Sequence, residues 1–190
     1  MQNILFFGDS LTAGYGLRNA ATESFPALIG QKIKAIYPNY NIINAGLSGD
    51  TSGGGLNRLD YWLSQPPAVF VLELGINDVI RGISPQITQK NLQAIIDKVK
   101  AKNTGVKIAL MGMQIPLFLH SPLAAQFNSI YRTLADVNQI TLVPFFLEGV
   151  AGKHNLNLPD RLHPNAEGYK VIAGNVWPVI KGLLVNHPER

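Results

Sequence analysis

Four short polar clusters in this chain carry the residue types of covalent acyl chemistry. Gly8-Asp9-Ser10-Leu11-Thr12 follows the apolar run Ile4-Leu5-Phe6-Phe7. Ala45-Gly46-Leu47-Ser48-Gly49-Asp50, Gly75-Ile76-Asn77-Asp78 and Asp160-Arg161-Leu162-His163-Pro164 come after it in order. Hydrolysing an ester through a covalent intermediate needs a nucleophile, a base, a group that orients the base and donors for the oxyanion. Ser10 is the candidate nucleophile. The same serine suits a helix N-cap, and the two roles are compatible, because N–H groups at a helix N-terminus also receive negative charge. Ser48 is a competing hydroxyl, ranked lower because no G-x-S-x-G elbow forms around it: Asp50 takes the last place.

The remaining parts fall on the other clusters. His163 is the candidate base, since an imidazole exchanges protons near neutral pH. Pro164 biases it toward extended backbone, and Asp160, three residues back, can accept from one ring nitrogen and leave the other for a hydroxyl. Gly46, without a side chain, lets its N–H approach a reacting oxygen. The Asn77 amide can donate to an oxyanion, although an Asx-turn is the ordinary use of an Asn-Asp pair after a strand. Asp9 reads as a turn-holding carboxylate and Asp78 as an acceptor that pins its loop. Glu73, inside an apolar run, must find a partner or be neutral.

These clusters need elements that bring them to one place. Apolar runs of strand length lie at 3–7, 41–45, 68–74, 106–111 and 140–143, continuous as in strands covered on both faces. Helical periods separate them. Ser84 and Pro85 open one carrying Leu92, Ile95, Ile96 and Val99. Another presents Leu123, Phe127, Ile130, Tyr131 and Leu134, and a last one begins after Asn165, with Pro178 expected to kink it near Gly174. Strand alternating with helix implies a three-layer α/β/α domain over residues 1–190, with a parallel sheet of about five strands. Ligands of such sheets gather at the carboxyl ends of the strands, where the polar clusters sit.

Composition narrows the function classes. Hydrophobic residues make up 46% and charged residues 15%, with a net charge of +4 and no cysteine. The absence of cysteine excludes disulfides and thiol catalysis. Lys98, Lys100, Lys102 and Lys107 are spread along a helix and its exit rather than clustered, a solvated face and not a nucleic-acid site. Histidines 120, 154, 163 and 187 show no metal-ligand spacing. No Walker loop or G-x-G-x-x-G is present, so neither a metal nor another cofactor is expected. Apolar runs fall short of the roughly 20 residues of a membrane span. As given, the sequence implies a cytoplasmic protein if complete, and a periplasmic or secreted one if a signal peptide has been removed.

Taken together, GDSLT around Ser10, AGLSGD around Gly46, GIND around Asn77 and DRLHP around His163 resemble the four blocks of the GDSL or SGNH hydrolases. GDSLTAGYG, GLNRL, LELGINDVIRG, PFFLEGV and LVNH are similar to the bacterial thioesterase I, lysophospholipase and arylesterase group. The resemblance implies a flavodoxin-like fold and a serine esterase or thioesterase. Its triad would be Ser10, His163 and Asp160, and its oxyanion hole Ser10, Gly46 and Asn77. Ile76 stands where that group often has glycine. The partner implied is a small acyl ester or thioester. The apolar segments Met113–Leu119 and Pro144–Leu147 suggest an acyl groove with Ile76 and Leu117 in its walls. A carbohydrate acetylesterase is the alternative within the fold, and a non-catalytic binding module a third reading.

Overall fold

The apolar runs pair side by side as a parallel sheet. The computed structural model describes residues 1–115 and 122–184, and its strands are β1 (Gln2–Gly8), β2 (Tyr40–Gly46), β3 (Val69–Glu73), β4 (Lys107–Met111) and β5 (Thr141–Val143), in the order β2-β1-β3-β4-β5. Each boundary lies within one residue of the sequence expectation. Register runs Gly8 against Gly46 on one side of β1 and Gly8 against Glu73 on the other. The ends of β1, β2 and β3 are thereby level, and the loops that leave them are neighbours.

Burial explains the central strands. Ile4, Leu5, Phe6 and Phe7 of β1 and Val69–Leu72 of β3 are at most 1% exposed, and each such side chain contributes about 1.5–3 kcal/mol on burial. On one face, α3 (Phe25–Ile36) packs against α8 (Ala166–Leu184). On the other, α4 (Ser52–Trp62), α6 (Pro85–Lys102) and α7 (Pro122–Asn138) pack in series. The result is the flavodoxin-like three-layer arrangement. Strand β2 departs from the expectation of two covered faces: it is an edge strand, with Asn41 and Asn44 exposed and only Ala45 fully buried.

Helix ends follow sequence signals. Ser84 caps α6 through Ile87 N–H, with Pro85 next, and Ser24 caps α3 through Ala27 N–H. Helix α8 runs unbroken through Pro178. Pro178 and Gly174, whose carbonyl loses a donor, are both exposed, a place where a missing helix bond costs less than it would in the core. Two short helices complete the site-bearing end: α1 (Ser10–Ala13) after β1 and α5 (Ile76–Ile80) after β3, while α2 (Ala20–Glu23) leads into α3. In this strand order the chain changes winding direction between β1 and β3, and the crevice at their carboxyl ends is the expected ligand position.

Candidate active site

Ser10 is the first residue of α1 and 7% exposed. Its Oγ lies 3.0 Å from His163 Nε2, and His163 Nδ1 lies 2.8 Å from Asp160 Oδ2. The structure therefore brings all three together across a sequence separation of 153 residues. Because the carboxylate only accepts, the Nδ1 proton faces Asp160 and Nε2 is left to accept from Ser10. The carrier of His163 is a tight reversal: Asn157 bridges Pro164 antiparallel, Leu158 N–H donates to His163 O, and Arg161 N–H donates to Leu158 O. Arg161 takes a left-handed φ of 60° to make the turn. Asp160 Oδ1 accepts from the N–H groups of Leu162 and His163 at 2.9 and 3.0 Å. These bonds, the His163 N–H first, lower its pKa to about 2. Tyr15, half exposed, lies over the imidazole with ring centroids 4.6 Å apart; the Gly14-Tyr15-Gly16 turn after Ser10 was its only sequence signal.

Behind Ser10 lies a buried acid pair. Asp9 Oδ1 caps α1 through Leu11 N–H at 2.9 Å, and Oδ2 accepts from Asn77 Nδ2 at 2.9 Å. The other Asn77 amide hydrogen goes to Asp50 O at 3.0 Å. Glu73 Oε2 accepts from Asp9 N–H and Thr12 Oγ1. Glu73 Oε1 is the one buried side-chain polar atom among the described residues with no hydrogen-bond partner. Burial pushes the Asp9 carboxyl up to about 6. Burial first, and then the Asp9 charge, raise Glu73 well above the carboxylate range. Glu73 is thus partnered through one oxygen, and its burial works against the charged form. Asp78 accepts from Ser52 N–H, Ser52 Oγ and Thr88 Oγ1, so it pins α5 to α4 and α6.

Gly46 has a different task from the one its sequence position suggested. Its N–H already donates to Asn44 Oδ1 at 2.9 Å, while Asn44 Nδ2 donates to Thr12 O. A Cβ at Gly46 would lie 2.2 Å from Ala13 N, so this glycine is needed because α1 packs on its backbone. The Asn-x-Gly spacing of 44–46 was the signal for this brace. Three residues on, Leu47–Asp50 forms a turn closed by Asp50 N–H to Leu47 O, with Gly49 at φ 78°. The Gly49 N–H has no acceptor among the described residues. Ser48 is exposed and makes no hydrogen bond to an imidazole among the described residues. Ile76 opens α5 half-buried beside Asn77, and Leu117 lies outside the described residues.

A serine, imidazole and carboxylate in hydrogen-bonded series can carry out acyl transfer. Residues 6–171 match the GDSL-like Lipase/Acylhydrolase family. The chain belongs to that family. Among relatives of this GDSL hydrolase is the esterase TesA of Pseudomonas aeruginosa, 38% identical over 184 residues, which span 96% of this chain and 90% of TesA. Thioesterase 1/protease 1/lysophospholipase L1 of Escherichia coli K12 is 38% identical over 97% of this chain and 85% of its own. The crystal structure of the psychrotrophic esterase EstA from Pseudoalteromonas, inhibited by monoethylphosphonate, superposes with a TM-score of 0.87 at 35% identity, covering 98% of this chain and all (100%) of that one.

Proposed function

We propose that this GDSL hydrolase cleaves acyl esters and thioesters through an acyl-enzyme on Ser10. The observation that carries the reading is the continuous hydrogen-bonded series from Ser10 Oγ through His163 to Asp160. His163 Nε2 takes the hydroxyl proton as Ser10 Oγ attacks the acyl carbonyl. The tetrahedral oxyanion is met by the N–H of Ser10, one of the groups that a helix start leaves without an intrahelical acceptor, by the Asn77 amide and by the free N–H of Gly49. Gly46, committed to Asn44, is replaced by Gly49 in this role. Asn77 reaches the oxyanion by exchanging the neutral Asp50 carbonyl for the charged oxygen, while Asp9 keeps hold of its other hydrogen. His163 then returns the proton to the leaving alcohol or thiol. Water, deprotonated by the same nitrogen, hydrolyses the acyl-enzyme.

Large apolar side chains stand exposed on the site-bearing segments: Tyr15 at 52%, Leu47 at 52%, Ile80 at 60% and Leu162 at 38%. Such a surface suits a hydrocarbon acyl chain better than a sugar, which favours acyl esters over acetylated carbohydrates. The names of the relatives, an esterase and a thioesterase/lysophospholipase, point the same way. Ser10→Ala with p-nitrophenyl esters of increasing chain length tests the reading, together with phosphonate labelling followed by peptide mass analysis. The expected result is label on Ser10 and turnover that rises beyond acetate. Turnover of acetate alone favours the carbohydrate esterase, and none at any length favours a binding module.

A further inference from the structure

Arg58, on α4, takes part in none of these steps, yet each of its three guanidinium nitrogens donates a hydrogen bond. Nη2 donates to Gly8 O and Nη1 to Ala45 O, both at 2.9 Å, and Nε donates to Asp50 Oδ2 at 2.7 Å. The guanidinium carbon sits 4.0 Å from the Phe7 ring centroid, and the side chain is 20% exposed. These acceptors are particular ones. Gly8 ends β1, two residues before Ser10. Ala45 and Asp50 stand at the two ends of the loop that carries Gly49. The Asp50 carbonyl receives the Asn77 amide. One planar group therefore touches the strand that delivers the nucleophile and both ends of the donor loop, and it is one residue removed from Asn77.

The chemistry requires arginine. Strand-end carbonyls need donors from outside the sheet; Gly8 O takes one from Leu47 N–H and a second from Arg58, and Ala45 O is reached by the same rigid fork of N–H groups. A lysine ammonium is a point charge and cannot span the same acceptors at fixed spacing. The Phe7 ring stacked against the guanidinium and the Asp50 carboxylate that accepts from Nε hold the fork in place.

We propose that Arg58 is a positioning residue of the oxyanion site: its guanidinium fixes the distance between the Ser10 turn and loop 45–50, and so aligns the Gly49 and Asn77 donors with the nucleophile. This inference rests on the function proposed above. A misplacement of about 1 Å at such a site costs about 10²-fold in rate, so kcat is the sensitive quantity.

The test is a steady-state comparison of Arg58→Lys and Arg58→Met with the unmodified protein, each also combined with Asn77→Ala, with thermal melts to establish folding. Arg58→Lys keeps a charge and a stem if Arg58→Met does not fold. The expected result is a folded variant with kcat down about 10–100-fold and KM within about threefold. The loss should shrink in the Asn77→Ala background, because both changes act on the same donors. A residue that only stabilised the fold would lower the melting temperature and leave kcat alone. Wild-type kcat in folded Arg58→Lys, or losses fully multiplicative with Asn77→Ala, overturns the proposal. Ser10→Ala, assayed in parallel, separates the two readings: its inactivity with an undisturbed Arg58→Lys rejects only the positioning role, whereas its retained activity rejects the site.

Discussion

The buried hydroxyl of Tyr169 donates to the carbonyl of Leu11 at 2.9 Å. This bond ties α8, which follows His163, directly to α1, which begins at Ser10. Burial pushes the Tyr169 phenol far up from its usual value, so it remains a donor at any working pH. No other donor reaches Leu11 O among the described residues. Tyr169→Phe keeps the shape and leaves a buried acceptor unpaired. The expected cost is about 1–3 kcal/mol, read as a fall of roughly 2–12 °C in melting temperature for a chain of this size. An unchanged melt would show that solvent or a backbone shift satisfies Leu11.

The buried acids give stability a definite pH dependence. Glu73 is raised well above its ordinary value, and Asp9 is raised to about 6. A carboxyl whose pKa is raised by folding binds more protons in the folded state. Its contribution is therefore fully present below its unfolded value and is lost as pH climbs toward the folded one. Glu73→Gln is neutral at every pH and keeps an oxygen for Thr12 and Asp9 N–H. Its melting temperature relative to the parent should increase from pH 5 to pH 8, in low-salt thermal melts. A difference that is flat or falls with pH would place Glu73 in its ionised form.

Gly46 and Gly49 should separate stability from rate. Alanine at Gly46 pushes into the Ala13 backbone at 2.2 Å and should cost about 1–3 kcal/mol or more through overpacking. Alanine at Gly49 meets only Arg81 Nη2, at 3.4 Å, but must hold φ near 78°, a strain of about 1–2 kcal/mol. The expectation is a larger loss of melting temperature for Gly46→Ala and a larger loss of kcat in the surviving folded fraction for Gly49→Ala. The reverse order would return the oxyanion role to Gly46.

Removing the Asn77 amide deletes a donor and also strips Asp9 Oδ2 of its partner. Asn77→Ala should lower kcat by about 10²–10³ with little change in KM, measured with a chromogenic ester at saturating concentration. A loss below tenfold would mean that the two backbone donors suffice.

The sheet was legible because its signal is local: continuous runs such as Ile4–Phe7 and Val69–Leu72 report burial on both faces without reference to any other part of the chain. Strand β2 was found for its apolar content, but its edge position was not, since neighbour order is a property of the assembled sheet. Ser10, Asp160, His163 and Asn77 could be singled out because their residue types carry the chemistry. Arg58 and Asn44 could not be assigned work from sequence. Their partners are backbone carbonyls and N–H groups, which every residue has and no residue type announces. Gly46 shows the same blindness in reverse: the missing side chain was visible, but the backbone of Ala13 that occupies its space was not.

The hydroxyl of Ser10 and the imidazole that would activate it are separated by 153 positions, and between them lies nearly every strand and helix. A partial chain emerging from synthesis, however well its early strands have paired, holds a serine with no base. Hydrolytic competence therefore arrives last, and a simple turnover assay doubles as a report that the whole polypeptide has closed on itself.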